Sequence, residues 1–185
     1  SINHVFIIAE NKNFKISHEY KKVSILKRPS HLNNVEVSLG DVLKWSLAEI
    51  NRRDQFPEYI VYANPDYAFR PPDIFDHLIK DACYKGLDSV FFGYSEYSSY
   101  WLHEENSNNY VPFGEGLLPR SAKKPLYKSL FGLGTVVRSR IIRLGKVFDD
   151  KKVGVIPTAD FKYTLRISDK SMNKIAQSLI QNFTE

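Results

Sequence analysis

The chain has 185 residues, of which 43% are hydrophobic and 14% aromatic, and it carries a formal net charge of +5. This composition excludes a disordered or low-complexity protein, and the single cysteine, Cys83, excludes a disulfide framework or a cysteine-based zinc site. No apolar run approaches the ~18 residues that a membrane-spanning helix needs, and the first residues do not resemble a signal peptide, so we expect a cytoplasmic globular protein without a membrane partner.

Seven segments have the residue pattern of β-strands. The first six are short and largely apolar, as buried strands are, and the seventh alternates between apolar and polar residues. They are residues 5–9, 23–26, 58–63, 89–94, 134–137, 153–156 and 161–167.

Capping residues and apolar periodicity predict three helices. Ser38 is a candidate N-cap, and the apolar residues after it fall on one helical face. The prolines at 71–72 suit the start of a second helix, which Gly86 ends. Ser168 or Asp169 is expected to cap a closing helix.

The order strand, helix, strand between residues 58 and 94 predicts a βαβ unit with two parallel neighbouring strands. In open parallel sheets, ligands bind beyond the carboxyl ends of the strands. The loop at 64–70 follows the first of these strands and is therefore a candidate binding loop.

The regular pattern is lost between residues 95 and 125, where tyrosine, serine, asparagine and glycine dominate. A long irregular loop within a compact domain is typical of a segment that binds something or reaches another subunit. We expect one of these roles for residues 97–125.

The segment 117–147 contains basic residues and no acid. Such a one-signed stretch concentrates anions, although a solvated charged face has the same appearance. No nucleic-acid reader motif accompanies the charge, so an anionic small molecule is the preferred partner and nucleic acid is not expected. The eight residues are Arg120, Lys123, Lys124, Lys128, Arg138, Arg140, Arg143 and Lys146.

Two residues of the 64–70 loop are candidates for ligand binding. Asp66 follows a predicted strand, but it also suits a turn after Asn64 and the adjacent proline. Arg70 precedes a helix start, where it could clamp a phosphate or carboxylate or could instead pair with Asp73 or Asp76. No Walker loop, GxGxxG, HExxH or GxSxG motif occurs.

Several segments, in order along the chain, together resemble the N-acylneuraminate cytidylyltransferase family, whose members include CMP-sialic acid synthetases. The similarity runs from about residue 2 to residue 183. The matching positions are RPSHL at 28–32 with Ser38 and the DV pair at 41–42, NPDYAFR at 64–70, DSVF at 88–91, and Pro119, Arg120, Pro125, Tyr127 and Gly134.

The resemblance implies a nucleotidyltransferase-like, Rossmann-like α/β fold of three layers, with a mixed, mostly parallel sheet in a single domain over 1–185. It also implies a homodimer built partly by 97–125. The implied reaction is Mg²⁺-dependent transfer of CMP from CTP to an acidic, nonulosonic or octulosonic, sugar with release of pyrophosphate.

The resemblance also implies roles for individual residues. Arg28 and Ser38 would face the nucleotide, and Asn64 the acidic sugar. Asp66 and Arg70 belong to the same candidate substrate loop. Arg120 would pair with the sugar carboxylate or a phosphate, assisted by Lys123 and Lys124.

The chain departs from the family pattern in two places. We expect the family's first strand and its glycine-containing nucleotide loop to lie before residue 1. Arg166 and Ser168 stand where the family has metal-binding aspartates, with Asp160 or Asp169 as possible substitutes nearby. The sequence therefore identifies no catalytic or metal-binding residue. It leaves a second interpretation, a catalytically degenerate relative that binds a sugar or nucleotide as a regulatory or scaffold module.

Overall fold

A computed structural model describes residues 2–10, 20–114, 117–148 and 152–183. The strands are β1 (Val5–Ala9), β2 (Val23–Lys27), β3 (Tyr59–Tyr62), β4 (Ser89–Glu96), β5 (Tyr100–His103), β6 (Tyr110–Phe113), β7 (Leu126–Ser129), β8 (Thr135–Arg138) and β9 (Val153–Thr158). The helices are α1 (Leu39–Asn51), α2 (Ile74–Lys85), α3 (Ser139–Arg143) and α4 (Lys170–Phe183), with 3₁₀ turns at Ser30–Leu32, Arg120–Ala122 and Phe161–Thr164. None of the described helices is both long enough and apolar enough to cross a membrane.

The chain forms two compact units, each made of three segments. The first unit contains Ser1–Ala63, Pro72–Val90 and Gly134–Gly154. The second unit contains Asn64–Pro71, Phe91–Leu133 and Val155–Glu185. That the chain is one domain with a dimerising excursion at 97–125 stays a prediction.

The first unit has its core between α1, β8 and α3. Leu43 and Leu47 of α1 pack against Val137 of β8 and against Ile141 and Ile142 of α3, and all five side chains are buried. The predicted start of α1 is confirmed, because the Ser38 hydroxyl oxygen accepts the third backbone N–H of the capping turn at 3.1 Å. Burial of these aliphatic side chains is the main contribution to the stability of this unit.

A close backbone contact joins the start of α1 to the turn after α3. A Cβ placed on Gly40 would lie 2.1 Å from the carbonyl oxygen of Gly145. Gly145 itself has a φ of 74°, which disfavours other residues. Glycine at position 40 therefore allows this approach.

The mixed α/β class is confirmed, but the mostly parallel sheet is not. The strands of the five-stranded sheet lie in the order β3-β8-β4-β7, with β9 also paired to β4, and the pairs β3–β8 and β4–β7 are antiparallel. β1 and β2 pair in parallel and form a sheet of their own. The three-layer arrangement stays a prediction.

The predicted βαβ unit is wrong in one respect, because β3 and β4 are not neighbours. β8 lies between them, with Tyr59 of β3 opposite Arg138 and Tyr62 opposite Thr135. The side chains of Thr135, Val136 and Val137 are fully buried. A strand buried on both faces belongs inside a sheet, which explains why β8 takes this position.

In the second unit, β4 pairs with β7 from Gly93 opposite Ser129 to Glu96 opposite Leu126. The segment 95–125, expected to be irregular, instead contains the antiparallel β5–β6 hairpin, in which Tyr100 lies opposite Phe113. The described part of 97–125 excludes residues 115–116.

The strand predicted at 161–167 is wrong, because residues Phe161–Thr164 form a 3₁₀ turn. The Asp160 carboxylate accepts the backbone N–H of Lys162 at 3.1 Å, and the Thr164 hydroxyl donates to the Phe161 carbonyl at 2.8 Å. Side chains that hydrogen-bond to their own backbone in this way compete with strand pairing. The predicted cap of α4 is confirmed for Asp169, whose carboxylate accepts the N–H of Met172 at 2.9 Å.

Candidate functional site

The loop at 64–70, in the second unit, is held by an Asx turn. The side-chain oxygen of Asn64 accepts the backbone N–H of Asp66 at 2.9 Å, and the Asn64 carbonyl accepts the N–H of Tyr67 at 3.3 Å. Asn64, expected to face a sugar, therefore has a local structural task for its side-chain oxygen. The turn leaves the Asp66 carboxylate free of the backbone.

Arg70 braces this loop. Its Nε donates to the Leu133 carbonyl at 3.0 Å, its Nη1 to the Tyr67 carbonyl at 2.8 Å, and its Nη2 to the Asn64 carbonyl. The side chain is partly buried, and burial lowers the pKa of the guanidinium. These donors hold the backbone on both sides of the loop, and the role of Arg70 in clamping an anion stays a prediction.

Gly132 allows the loop to approach the segment before β8. A Cβ at this position would lie 2.7 Å from the Tyr67 ring and 2.8 Å from the Asn64 Cβ. The backbone N–H of Asn64 donates to the Gly132 carbonyl at 2.8 Å. Glycine is therefore required here by close packing.

Asp66 forms an ion pair with Arg166, whose Nη2 lies 3.2 Å from the carboxylate. Two backbone contacts hold the partners together: an isolated antiparallel bridge between Tyr67 and Arg166, and a 2.7 Å hydrogen bond from the Ile167 N–H to the Asp66 carbonyl. The Arg166 guanidinium also lies over the ring of Tyr67, 5.8 Å from its centre. Burial raises the pKa of Tyr67, with the two neighbouring arginines opposing the rise, so the ring stays neutral.

A cavity of about 640 Å³ in the second unit, shallow and widely open to solvent, is lined by Tyr97, Arg120, Ser121 and Lys123. The Arg120 guanidinium lies 4.7 Å from the centre of the Tyr97 ring. Lys123 donates to the Ser99 hydroxyl at 2.7 Å and to the Tyr97 carbonyl at 3.3 Å. Two residues predicted to bind an anion are thus brought to one opening.

Arg120 and Lys123 meet because the 3₁₀ turn at Arg120–Ala122 positions both side chains. Lys124 is exposed and does not line the cavity. Tyr97 is the functional candidate that sequence reasoning missed, since nothing in its spacing links it to Arg120. The aromatic residues of the irregular segment were the one available signal.

Arg28 and Ser38 lie in the first unit. Arg28 donates to the Asn33 side chain at 2.6 Å and pairs with Glu10 at 2.5 Å. The hydroxyl of Ser38 donates to the Asp41 carboxylate at 2.7 Å while capping α1. Both side chains thus have protein partners, and their role toward a nucleotide stays a prediction.

Arg138 and Arg140, from the basic stretch, converge on one buried acid. Asp88 is 1% exposed and accepts hydrogen bonds from the Nε of Arg140 at 3.0 Å and from Nη1 of Arg138 at 3.5 Å. Arg138 donates also to the Tyr59 hydroxyl at 2.6 Å. Burial raises the pKa of Tyr59, although Arg138 counteracts part of this rise. Arg138 and Arg140 therefore balance the charge of Asp88, which lies directly before β4.

The residues near the expected magnesium site do not fit Mg²⁺, which is usually bound through one or two carboxylates that have no competing cation. Among the described residues, no three His, Cys, Asp or Glu side chains are placed to share a metal ion. Asp160 pairs with Lys162 at 2.8 Å. Burial would raise the pKa of Asp160, but its contacts with Lys162 lower it overall. Asp169 caps α4, and Asp66 faces Arg166.

No protein-family model matches the chain, and no curated protein matches it. Among solved structures, a 4-diphosphocytidyl-2C-methyl-D-erythritol synthase from Anaerococcus prevotii DSM 20548 matches with a TM-score of 0.56 and 12% identity over 86% of this chain and 71% of that one. This match supports a cytidylyltransferase-like fold. It does not support membership of the N-acylneuraminate cytidylyltransferase family, which the sequence resembles.

Proposed function

We propose that the chain is a nucleotidyltransferase-type protein that binds an anionic substrate in the cavity of Tyr97, Arg120, Ser121 and Lys123. The observation that supports this is the pairing of two cationic side chains with an aromatic ring at one opening of about 640 Å³. Pockets of 300–1,000 Å³ suit small molecules of nucleotide or sugar size. The cytidylyltransferase-like fold favours a cytidine nucleotide as one substrate.

The proposed reaction is transfer of CMP from CTP to the anomeric hydroxyl of an acidic sugar. The hydroxyl oxygen forms a bond to the α-phosphorus, the bond to the β-phosphate oxygen breaks, and pyrophosphate leaves with that electron pair. Positive charge must face the phosphates and the sugar carboxylate. Arg120 can present two parallel N–H groups to a carboxylate or phosphate, whereas Lys123 offers a point charge.

One observation favours a second candidate, a binding module without catalysis. Arg166 occupies the place of an expected metal-binding aspartate, and the acids that could replace it are engaged as ion-pair partners or helix cap. Such a protein would hold a sugar or nucleotide as a regulator or scaffold. The two candidates share the cavity and differ only in turnover.

Pyrophosphate release from CTP, measured with a panel of nonulosonic and octulosonic acids, separates these candidates. Binding of the same compounds by isothermal titration calorimetry tests the cavity itself. Arg120→Ala should weaken binding about 10-fold or more, because it removes a charge-assisted contact. Lys128→Ala is the control, since Lys128 lies exposed on β7 in the same basic stretch. Equal affinity of the two variants would refute the site.

We further propose that a second copy of the chain covers the β5–β6 hairpin, as expected for 97–125. Tyr100 and Leu102 share one face of the ribbon with Val111 and Phe113, and all four are at least 36% exposed. A two-stranded hairpin is only marginally stable alone. Leu102→Asp should shift the mass measured by light scattering toward the monomer, while Asn108→Asp in the turn should not. A monomeric wild-type chain would exclude the dimer.

A further inference from the structure

We propose that the 64–70 loop, together with Arg166, holds a phosphate group without a divalent cation. The inference rests on the proposed function only in assuming that the ligand carries phosphate. It concerns residues of the second unit alone. At this proposed site, the Arg166 guanidinium supplies the positive charge that the family resemblance assigns to Mg²⁺.

The first argument is the position of Arg166. Its backbone is bridged to Tyr67, and the neighbouring Ile167 N–H donates to the Asp66 carbonyl at 2.7 Å. These contacts fix the base of the Arg166 side chain against the loop. A charge held in place by the backbone needs little further ordering when an anion arrives.

The second argument is the unused hydrogen-bonding capacity of Arg166. A guanidinium has five N–H donors, and the bond from Nη2 to Asp66 uses one of them. Among the described residues, the side chain makes no other hydrogen bond, and it is 52% exposed. The remaining donors suit the oxygens of a phosphate, which guanidinium groups bind in pairs.

The third argument is the charge balance of the loop. Arg70 and Arg166 contribute two positive charges, and Asp66 contributes one negative charge. The hydrogen bonds of Arg70 go to backbone carbonyls, and within the described residues it forms no ion pair with an acid. Its partly buried charge therefore adds to a positive potential around the loop.

The chemistry of the ligand follows from this arrangement. Mg²⁺ bound to a triphosphate would neutralise part of the negative charge that attracts the two arginines. The positive charges of the arginines would also repel the Mg²⁺ ion. The metal-free phosphate should accordingly bind at least as well as its magnesium complex. An aspartate-based metal site would have the opposite preference.

The experiment measures the affinity of CTP and of inorganic pyrophosphate by calorimetry, once in EDTA and once in excess Mg²⁺. We expect binding in EDTA to be equal to or tighter than binding in Mg²⁺. Arg166→Gln should weaken metal-free binding about 3- to 10-fold, because the group is half exposed. Arg143→Gln, an exposed arginine of the first unit, should leave it unchanged.

Asp66→Asn provides a test of opposite sign. It removes the carboxylate that competes for Arg166 but keeps the backbone contacts, so we expect metal-free affinity to rise a few-fold. If Asp66 were a metal ligand, affinity would fall. A parallel titration with Mn²⁺ in the absence of nucleotide, followed by electron paramagnetic resonance, compares the wild type with Asp66→Asn. We expect the two proteins to bind the same number of Mn²⁺ ions.

Three results would overturn the inference: binding of both anions only in Mg²⁺, a Mn²⁺ site that Asp66→Asn removes, or equal affinities of wild type and Arg166→Gln at unchanged melting temperature. Arg166→Lys, which keeps the charge, should retain most of the affinity if Arg166→Gln folds poorly. Metal-free binding of pyrophosphate that Arg166→Gln weakens, without binding of CTP, would refute the nucleotide part of the proposed function and support this inference. Binding of neither anion would refute both.

Discussion

Replacing Arg70 with methionine tests whether this arginine braces the 64–70 loop or clamps a ligand. Methionine keeps the unbranched apolar stem and removes the donors that reach the carbonyls of Asn64, Tyr67 and Leu133. A hydrogen bond from a charged group contributes ~1.5–3 kcal/mol in a folded protein. Because Arg70 is only partly buried, the freed carbonyls regain some water, and the three contributions do not add. We expect a net loss of about 2–3 kcal/mol in the free energy of unfolding.

Urea unfolding followed by circular dichroism measures this loss, and a chain of this length should melt roughly 4–12 °C lower. Arg52→Met is the matched control, since Arg52 is an exposed arginine directly after α1. Its ion pair with Glu49, the one it forms among the described residues, lies at the surface and contributes less than about 1 kcal/mol. Arg70→Lys should lose most of the stabilisation that the Arg70 hydrogen bonds provide, although it keeps the positive charge. If Arg70→Met were as stable as Arg52→Met while anion affinity fell sharply, the bracing role would be refuted.

Three further variants test other contacts. Gly40→Ala should lower the free energy of unfolding by about 1–3 kcal/mol despite the better helix propensity of alanine, because its methyl group meets the Gly145 backbone; unfolding in urea checks this, and a neutral result contradicts the contact. Asp88→Ala should cost about 2–4 kcal/mol by leaving two arginines without their buried partner, measured in the same way, and a loss below 1 kcal/mol argues against the ion-pair network. Asp169→Ala should reduce helical ellipticity. Hydrogen bonds from Ser171 lower the pKa of Asp169, so the stabilisation by its carboxylate is present above the ordinary pKa of aspartate and is lost as the pH falls through the lowered value. An acid titration that compares the wild type with the variant detects this loss.

Local elements could be predicted where a side chain acts on its own backbone. Ser38 and Asp169 mark helix starts because their oxygens reach backbone N–H groups within the same turn. Gly86 ends α2 in the left-handed conformation, with a φ of 61°. The same principle explains a failure, since Asp160 and Thr164 bind their own backbone and turn an alternating segment into a 3₁₀ helix.

Strand neighbours could not be predicted because they depend on distant segments. The strand that separates β3 from β4 is β8, which begins at Thr135, well after β4 ends at Glu96. Its apolar residues predict a strand, but periodicity does not say which strand it joins. Parallel pairing of β3 and β4 therefore rests on their order in the sequence alone, and the structure does not follow that order.

The candidate sites show the same difference between contacts within one short segment, which can be predicted, and contacts between distant segments, which cannot. Arg120 and Lys123 are three residues apart, so one local turn brings them to the same cavity. Tyr97 reaches that cavity from a different segment. The role of Arg70 depends on the Leu133 carbonyl, 63 positions away, which no local pattern reveals.

The contact between Asp66 and Arg166 spans 100 positions of the chain. A ribosome adds about 5–20 residues per second, so roughly 5–20 s separate the synthesis of these two partners. During that time the early loop has neither its guanidinium partner nor the Ile167 amide that later anchors it. The loop therefore cannot take its final arrangement until residues 166 and 167 have been made, and a translation product that stops before them leaves the loop without these contacts and more accessible to proteases.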